Sequence, residues 1–451
     1  MKYLLYILIL FCTFSAHAQI ITTFAGNGAV GANGDGGDAT AAAIGYPDGC
    51  AFDSKGNFYF TQVSPDRVRK VTPSGIISTI AGTGMSSGYN GDGIPATDAQ
   101  LYFPGSIVFD SQDNIYIADA GNGRIRKIDA TTGIISTILG GAISGFSGDG
   151  GPASAASISG VADIWFDSRY NLYVSDGGNE RVRKINTSGI ITTVAGNGTA
   201  GWGGDGGMAT AATIQSINGI CTDTIGNLYL AQTNDARVRK VDVTGRITTV
   251  AGNGSMGPTG DGGPSTAATL DPVRLVCDKA GNLFISCYSN NNIRKIDNAG
   301  IIHTIAGTGI SGFSGDDSIA TDAKLHISFG LAFDTCGNLY FADKDNSRIR
   351  KVAFNPLCLD NLVVGSVKDA TMSIYPNPAY EVVNVDNLKA AASYRLLNLV
   401  GVVQQQGSLK EGNNSISVAS LPQGVYLLEL TSLSFGEGRG EVKTVTKIVK
   451  Q

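Results

Sequence analysis

The most regular feature of the sequence is a series of short apolar runs separated by polar, glycine-rich turns. One such run ends at an aspartate in six places, 55 to 57 residues apart: Asp53, Asp110, Asp167, Asp223, Asp278 and Asp334. After the aspartate come a turn and an Asn–apolar–aromatic strand, as in 114–116, and then a basic strand, as in 124–127. A glycine turn and a β-branched strand, as in 133–138, complete the unit. Each unit therefore predicts four short strands.

The phase of this repeat predicts the number of units and the way they close. Four-stranded units that recur around an axis form a β-propeller. The sixth basic strand, 348–351, has no β-branched strand after it, whereas a strand without partners, 20–26, precedes the first unit. Joining the two hides two strand edges that would otherwise be exposed. The predicted fold class is all-β: a six-bladed β-propeller closed by the N-terminal strand, spanning residues 19–354.

Two local details of the repeat carry expectations of their own. The turn after the repeated aspartate holds Gly in four units and Asp113 in the second, which suit a positive φ, whereas Tyr170 in the third does not, so we expect a different turn there. Ile125 and Ile128 are three residues apart and cannot share one face of a regular strand. This spacing predicts a bulge or an early strand end.

Both ends of the chain differ from the repeat. Lys2, an apolar run over 4–14 and Ala16-His17-Ala18 predict a signal peptide over residues 1–18. No later stretch approaches 18 uncharged apolar residues, so we expect no transmembrane segment in the mature chain. A linker is predicted over 355–371. Residues 372–451 contain about seven short strands between Gly and Asn turns, which predicts a small β-sandwich.

Composition narrows the classes of partner. Gly accounts for 61 of 451 residues and charged residues for 16%, a balance that agrees with many short strands joined by turns. The formal net charge is -5 and the pI is about 5.3. This acidic balance argues against binding to nucleic acid or to an anionic membrane.

The repeats resemble NHL repeats in their long form, with segments 122–129 and 148–153 close to the family pattern. The resemblance implies a propeller that binds proteins, glycans or RNA and less often catalyses a reaction. Residues 375–378, 397–401 and 421–426 and the basic end 443–450 resemble the C-terminal sorting domain of type IX secretion substrates. That resemblance implies export through the periplasm, contact with the type IX secretion machinery through 372–451, and release or attachment at the outer-membrane surface.

The sequence offers few residues suited to catalysis or to metal binding. The mature chain has two histidines, His303 and His326, and neither has a His or Cys neighbour at ligand spacing. Because lactonase- and lyase-type propeller enzymes need such converging ligands, an enzyme of this kind is only the alternative hypothesis. No catalytic residue and no cofactor is assigned. Calcium is a minor alternative to a turn-stabilising role at the aspartate of each Gly-Asp-Gly loop. These are Asp35, Asp92, Asp149, Asp205, Asp261 and Asp316. We expect the recurring aspartates and arginines to pair between blades.

We expect the residues that select a ligand at positions where the repeat pattern is kept but the residue type differs between units. Three residues before the loop aspartates, four positions are aromatic: Tyr89, Phe146, Trp202 and Phe313. Nine residues after the repeated aspartates, three positions are acidic: Asp119, Asp176 and Asp343. Both sets should lie on loops that open on one face of the propeller. They are the predicted ligand-binding residues of a secreted or surface-attached module for an unknown protein or glycan. The aromatic rings could instead be buried plugs over the blade ends.

Overall fold

The computed structural model describes residues 19–354, apart from 86 and 142, and 373–375, 381–388, 391–398, 403–421, 424–433 and 441–450. The predicted signal peptide, 1–18, and linker, 355–371, lie outside the described residues. Two compact units, the propeller and the C-terminal domain, are each described by themselves.

The propeller is made of six antiparallel sheets, numbered here as blades. The N-terminal strand is β1 (Ile20–Ala25). The following strands belong to blades one to six in turn: β2 (Pro47–Phe52), β3 (Phe58–Val63), β4 (Asp66–Val71), β5 (Ile77–Ala81); β6 (Ile94–Pro95), β7 (Pro104–Phe109), β8 (Ile115–Asp119), β9 (Arg124–Ile128), β10 (Ile134–Gly140); β11 (Val161–Phe166), β12 (Leu172–Asp176), β13 (Arg181–Ile185), β14 (Ile191–Ala195); β15 (Ile217–Thr222), β16 (Leu228–Gln232), β17 (Arg237–Val241), β18 (Ile247–Ala251); β19 (Pro272–Cys277), β20 (Leu283–Cys287), β21 (Asn292–Ile296), β22 (Ile302–Ala306); β23 (Ser318–Ile319), β24 (Ser328–Phe333), β25 (Leu339–Asp343), β26 (Arg348–Ala353).

Short 3₁₀ turns complete the described secondary structure of the propeller. Five precede the inner strands and three follow second strands: Ala96–Asp98, Ala153–Ala155, Ala209–Ala211, Ser265–Ala267 and Ala320–Asp322, then Ala120–Asn122, Gly177–Asn179 and Lys344–Asn346.

The N-terminal strand closes the ring. β1 pairs antiparallel with β26, with Ile20 opposite Ala353 and Thr22 opposite Lys351, and forms the fourth long strand of blade six. The six-blade prediction and its closure are confirmed. The two ends of the propeller sequence thus pair in one sheet, and this pairing closes the circle of blades.

The predicted irregularity lies on the fourth strand of each blade. In blade two the β9–β10 register shifts between Thr137 and Leu139, so Ile138 is the extra residue. The third strand β9 stays regular against β8. Ile125 and Ile128 are both buried because neighbouring blades cover the two faces of the strand.

The hairpin between the first and second strands is held by the repeated aspartate. Asp110 Oδ1 accepts from the backbone N–H of Asn114 at 3.0 Å, and Asp110 Oδ2 accepts from Asn114 Nδ2 at 2.8 Å. The expectation of a different turn at Tyr170 was wrong. Tyr170 adopts φ 59° and its N–H donates to Asp167 O at 2.9 Å, the same turn as in the sister blades.

The apolar core lies between blades. Cys50, Phe58 and Ile77 of blade one pack in one cluster with Ala342 and Ile349 of blade six. Aromatic pairs recur at these junctions, with ring centroids 4.8 Å apart in Tyr59–Phe109 and 4.9 Å apart in Tyr116–Phe166. Each blade is therefore stabilised mainly by its neighbours.

The C-terminal domain is the predicted β-sandwich. Its described strands are β27 (Ser373–Tyr375), β28 (Val382–Leu388), β29 (Ala392–Asn398), β30 (Val403–Leu409), β31 (Gly412–Ser417), β32 (Gly424–Leu433) and β33 (Glu441–Lys450). They form sheets in the orders β27-β28-β31 and β30-β29-β32-β33. Val385 and Ile416 of the first sheet share a core with Leu396 and Leu428 of the second.

Two further findings concern the described residues of the whole chain. Among them, no helix is long and apolar enough to span a membrane. Cys336 is in a disulfide, whereas Cys50, Cys221, Cys277 and Cys287 are free thiols.

Candidate functional site

Two families of loops meet on one face of the propeller, called here the loop face. One family joins the second and third strands of a blade. The other joins consecutive blades and comprises 26–46, 82–103, 141–160, 196–216, 252–271 and 307–327. Asn122 Nδ2 of the first family donates to Gly88 O of the second at 2.6 Å, and Asn346 Nδ2 donates to Gly312 O at 2.7 Å. The two predicted sets of variable residues therefore lie on the same face.

Each inter-blade loop is tied to the blade that follows it by an ion pair. The arginine at the centre of each third strand is fully buried and pairs with the aspartate of the Gly-Asp-Gly segment. The six pairs are Arg69–Asp35, Arg126–Asp92, Arg183–Asp149, Arg239–Asp205, Arg294–Asp261 and Arg350–Asp316. In four of them the N–O distance is between 2.6 and 3.1 Å.

The same aspartates also bind the fourth strand. Asp149 Oδ2 accepts from the N–H and the hydroxyl of Thr193 at 3.0 and 2.6 Å, and Asp205 Oδ2 accepts from Thr249 N–H at 3.0 Å. Five of the six carboxylates thus have a second protein partner on the fourth strand besides the arginine: Asp92, Asp149, Asp205, Asp261 and Asp316. Among the described residues, no group of three or more His, Cys, Asp or Glu side chains is placed to hold a metal ion.

The three predicted acidic site residues lie beneath the loop face. Asp119, Asp176 and Asp343 are fully buried. Asp343 accepts from His326 N–H at 2.8 Å, from Asn346 Nδ2 at 2.9 Å and from Arg350 at 3.3 Å. Burial raises the pKa of Asp343 to about 6, although these donors and the Arg350 charge act to lower it. We therefore place the three carboxylates in the framework that holds the loops and do not propose them as ligand contacts.

The four aromatic residues are neither buried plugs nor free collars. Tyr89, Phe146, Trp202 and Phe313 are 38 to 53% exposed. Each ring stacks on the arginine that begins the third strand. The Cζ–centroid distances are 4.0 Å for Arg124 and Tyr89, 3.9 Å for Arg181 and Phe146, 4.2 Å for Arg237 and Trp202, and 3.6 Å for Arg348 and Phe313. One side of each ring is covered and the rest is accessible.

Sequence reasoning missed a larger apolar surface around these rings. In five of the six inter-blade loops, an aliphatic residue or a methionine two to four positions before the aromatic position is 51 to 92% exposed: Val30, Met85, Ile143, Met256 and Ile310. Tyr46, Tyr102, Phe103 and Tyr288 are exposed in the same loop families. The recurring apolar residue shortly before the aromatic position is the sequence signal that could have revealed this exposed apolar surface.

Sequence reasoning also missed a buried charged network in the central channel. Arg274 of β19 donates to Asp48 Oδ1 at 2.9 Å, to Ala162 O at 3.1 Å and to Asn218 O. Lys344 Nζ lies 2.7 Å from Asp48 Oδ2. The guanidinium thus joins blades one, three, four and five.

The pKa values of the two buried carboxyls in this network are shifted in opposite directions. Burial acts to raise the pKa of Asp48, but the charges and hydrogen bonds of Lys344 and Arg274 outweigh it and hold the pKa below its ordinary value. Burial raises the pKa of Asp163, and the Arg274 charge offsets this only in part. Asp163 Oδ2 accepts from Ile220 N–H at 2.8 Å.

The inner strands close the channel around this network. Gly49, Gly219 and Gly330 occupy the inner-strand position that holds Arg274 in blade five, and a Cβ on Gly330 would lie 2.4 Å from Asp48 O. A cavity of about 30 Å³ remains beside Arg274 and Asp163. This is room for one or two water molecules, so the channel has no space for a larger ligand.

Comparisons with known proteins agree with this architecture. Residues 373–451 match the family described as the secretion system C-terminal sorting domain, and residues 101–128 match the NHL repeat. A solved auxiliary nutrient binding protein from Bacteroides thetaiotaomicron VPI-5482 is 17% identical, with a TM-score of 0.54, over 74% of this chain and 76% of that one. At this identity the likeness concerns the fold alone.

Two curated relatives match a large part of the chain. Protein SUPPRESSOR OF QUENCHING 1 of Arabidopsis thaliana is 24% identical over 73% of this chain, and human teneurin-4 is 32% identical over 59%. The match spans 31% of the first relative's length and 8% of the second's. Together with the six blades, the two family matches show that the chain is an NHL-repeat β-propeller with a C-terminal sorting domain for type IX secretion, which places it at the cell surface or outside the cell.

Proposed function

We propose that the propeller is an extracellular binding module that holds a protein ligand on its loop face and catalyses no reaction of its own. The observation that carries the proposal is the concentration of exposed apolar side chains on that face. Met85, Ile143 and Ile310 are 59 to 92% exposed and stand beside the half-exposed aromatic rings. Large exposed apolar patches on soluble domains mark sites of interaction with other molecules.

The composition of the surface favours a protein over a glycan. Exposed aliphatic and methionine side chains gain free energy mainly by contact with other apolar side chains. Arg, Tyr, Trp, Phe and Met are the residue types enriched at protein interfaces, and all of them occur in the ring. The closed channel offers little room for a small ligand, whereas a face lined by six loops can meet an extended surface. A glycan remains the second candidate, supported by the accessible rings.

The family comparisons are compatible with this role. The sorting domain delivers the propeller to the place where an extracellular ligand would be met. One solved structure with this fold is described as a nutrient binding protein, which is a precedent for binding by such a propeller. We infer from the fold precedent only that the scaffold can carry a binding face.

The decisive experiment compares two faces of the same propeller. The labelled protein is applied to arrays of peptides and glycans as wild type, as Met85→Ser/Ile143→Ser/Ile310→Ser on the loop face, and as Ile225→Ser/Val243→Ser on the opposite face. Ile225 and Val243 are 74% and 65% exposed, so the control removes equally accessible apolar groups. Peptide binding that disappears in the loop-face variant and persists in the control supports the proposal. Binding to glycans alone, or equal loss in both variants, contradicts it.

The enzyme alternative is tested with lactone and uronate substrates. The purified propeller is incubated with each substrate in the presence of divalent metal ions and again with a chelator. Metal-dependent turnover would replace the proposal of a binding module with that of a lactonase- or lyase-type enzyme.

The contact with the secretion machinery through 372–451 is a separate proposal. A truncation that ends at residue 371 should fold but stop in the periplasm, because the segment that matches the sorting domain is gone. Immunodetection in periplasmic and surface fractions measures this. Normal surface delivery of the truncated chain would show that another segment addresses it.

A further inference from the structure

A groove between blades two and three lies on the face opposite the loop face. It is bordered by the turn after β7 and by the turns that follow β11 and β13, and its volume is about 800 Å³. The turn after β11 contributes Arg169 and Tyr170, and the recurring Tyr116–Phe166 pair lies at its base. The inter-blade loop 141–160 reaches this groove through Pro152, Ala153 and Ser154, but none of the exposed aliphatic, methionine or aromatic residues of the loop face lines it.

An equivalent groove between blades four and five provides an internal comparison. Its volume is about 530 Å³, and it is lined at the same repeat positions, with Tyr229 in place of Tyr116 and Lys240 in place of Lys127. Where blade three has Arg169 and Tyr170, blade five has Ala280 and Gly281. The scaffold therefore builds the groove without an arginine or a tyrosine in this turn.

Tyr170 occupies a backbone position that does not suit it. Its φ is 59°, and the equivalent residues, all at positive φ, are glycine or aspartate: Gly56, Asp113, Gly226, Gly281 and Gly337. A bulky residue at positive φ is strained, and such strain concentrates at functional sites. The Tyr170 ring is 46% exposed, so burial returns little of that cost. Tyrosine therefore carries a backbone cost here that glycine avoids in four sister blades.

The ring extends an aromatic surface into the groove. The Tyr170 centroid is 6.3 Å from that of Phe166, which in turn packs edge-on against Tyr116 at 4.9 Å. Exposed aromatic rings supply a large contact area at a low cost in side-chain entropy. The groove thus carries a three-ring platform, of which Tyr170 is the accessible end.

Arg169 supplies the free positive charge at this platform. Its side chain is exposed, and the part of the chain that the structure describes holds no ion pair for its guanidinium. Lys127, the other cation in the groove, lies 3.9 Å from Asp110 and is already paired. Gln112, Ser154 and Thr187 add amide and hydroxyl groups to the lining.

We propose that this groove is a second binding site, specific for a carboxylated saccharide. A sugar ring presents an apolar face to an aromatic side chain and hydroxyls to amide and hydroxyl groups, and Arg169 pairs with the carboxylate. The occupant is identified by this combination of platform, polar lining and unpaired cation. The site is independent of the loop face and of its ligand.

Calorimetric titration with the trimer of galacturonic acid tests the proposal, using its methyl ester as the neutral probe of the same shape. Wild-type protein should bind the acid, with at least tenfold weaker binding of the ester. Arg169→Ala should weaken binding of the acid about tenfold or more. The matched control is Lys55→Ala, which removes an exposed cation from the equivalent turn of blade one and should leave binding unchanged.

A second variant separates binding from folding. Tyr170→Gly installs the residue that four sister blades carry, so it should raise the melting temperature by removing strain while weakening binding of the trimer at least tenfold. Absence of binding by the wild type, equal affinity for acid and ester, unchanged affinity in both variants, or preference for an acidic peptide of equal charge would each overturn the proposal. These outcomes leave the loop-face experiment unaffected.

Discussion

The outer ring of six Arg–Asp pairs and the single Arg274 of the central channel both place guanidinium groups in the protein interior, but in different surroundings. In the outer ring the side chain of the arginine is fully buried, while that of its aspartate is 33 to 45% exposed to solvent. In the channel the side chains of Arg274 and Asp48 are each 8% exposed. The first arrangement is repeated six times, once for each blade. The second occurs once, so no equivalent pair elsewhere in the propeller can replace it.

This difference indicates how a repeat protein divides its tasks. Pairs that recur in every blade hold each inter-blade loop in the same way, so variation in one copy affects one loop. A charge inserted once at the axis contacts several blades together, because Arg274 reaches Asp48, Ala162 and Asn218. The outer ring therefore holds each inter-blade loop on the blade that follows it, whereas the channel network joins blades one, three, four and five through Arg274 and blade six through Lys344.

The largest expected effect comes from opening the circle of six blades at the sheet that closes it. Deleting residues 20–24 removes most of β1, so β26 loses its partner and exposes a strand edge. We expect loss of the cooperative thermal transition and aggregation, measured by calorimetry and size-exclusion chromatography. A truncated protein that stays monomeric with an unchanged melting temperature would show that closure does not depend on this strand.

The next effect tests the channel. Arg274→Ala leaves Asp48 and Asp163 buried with less positive charge and frees the carbonyls of Ala162 and Asn218. Breaking a buried charge network from one side costs about 3–5 kcal/mol of unfolding free energy. Urea unfolding measures this loss. The control Arg246→Ala removes an exposed arginine that donates to Gly206 O and should cost less than about 1 kcal/mol. Equal losses in the two variants would contradict the special role of the channel.

The features that recur in every blade could be predicted from the sequence, whereas the features that occur once could not. The six blades and their closure are visible in the sequence because the repeat recurs in register. The recurring aspartates and arginines were expected to pair between blades, whereas each pair joins an inter-blade loop to the blade that follows it. The turn at Tyr170 was mispredicted because the scaffold imposes positive φ on whichever residue stands there. The channel network stayed hidden because Asp48, Asp163 and Arg274 come from different repeats with no local motif. Aligning the third residue of each inner strand would have shown the two charges there, Asp163 and Arg274, among small residues.

The pH dependence of the unfolding free energy distinguishes Asp343, which contacts an arginine of the outer ring, from Asp48 of the channel network. Burial raises the pKa of Asp343 to about 6, above its value in the unfolded chain. The folded state then binds the proton more tightly, so this residue favours folding fully below about pH 4, and that contribution is lost as pH rises through 6. Its size is about 2–3 kcal/mol. Asp48, with its pKa lowered, contributes in the opposite sense, with stability lost as pH falls.

The variant Asp343→Asn isolates this contribution. Blades one and four carry Gln62 and Gln232 at the same position, so an amide is compatible with the fold. Unfolding free energies of the variant, measured by urea titration at pH 4, 5, 6 and 7, should fall less with rising pH than those of the wild type. Parallel pH profiles would assign the dependence to other groups.

The smallest expected effect concerns the rings that cover the outer arginines. Trp202 is 53% exposed and stacks on Arg237, so Trp202→Ala removes one cation–π contact and roughly half the burial of a large ring. We expect a loss of about 1–2 kcal/mol, against the 3–5 kcal/mol that a fully buried aromatic ring costs. Chemical denaturation of Trp202→Ala and Phe146→Ala measures it, with Phe58→Ala, a fully buried ring, as the control. A loss as large as that of Phe58→Ala would make the rings part of the scaffold and remove them from the binding face. A small loss combined with weaker ligand binding would place them at the interface, because accessible ring area that contributes little to folding is available to a partner.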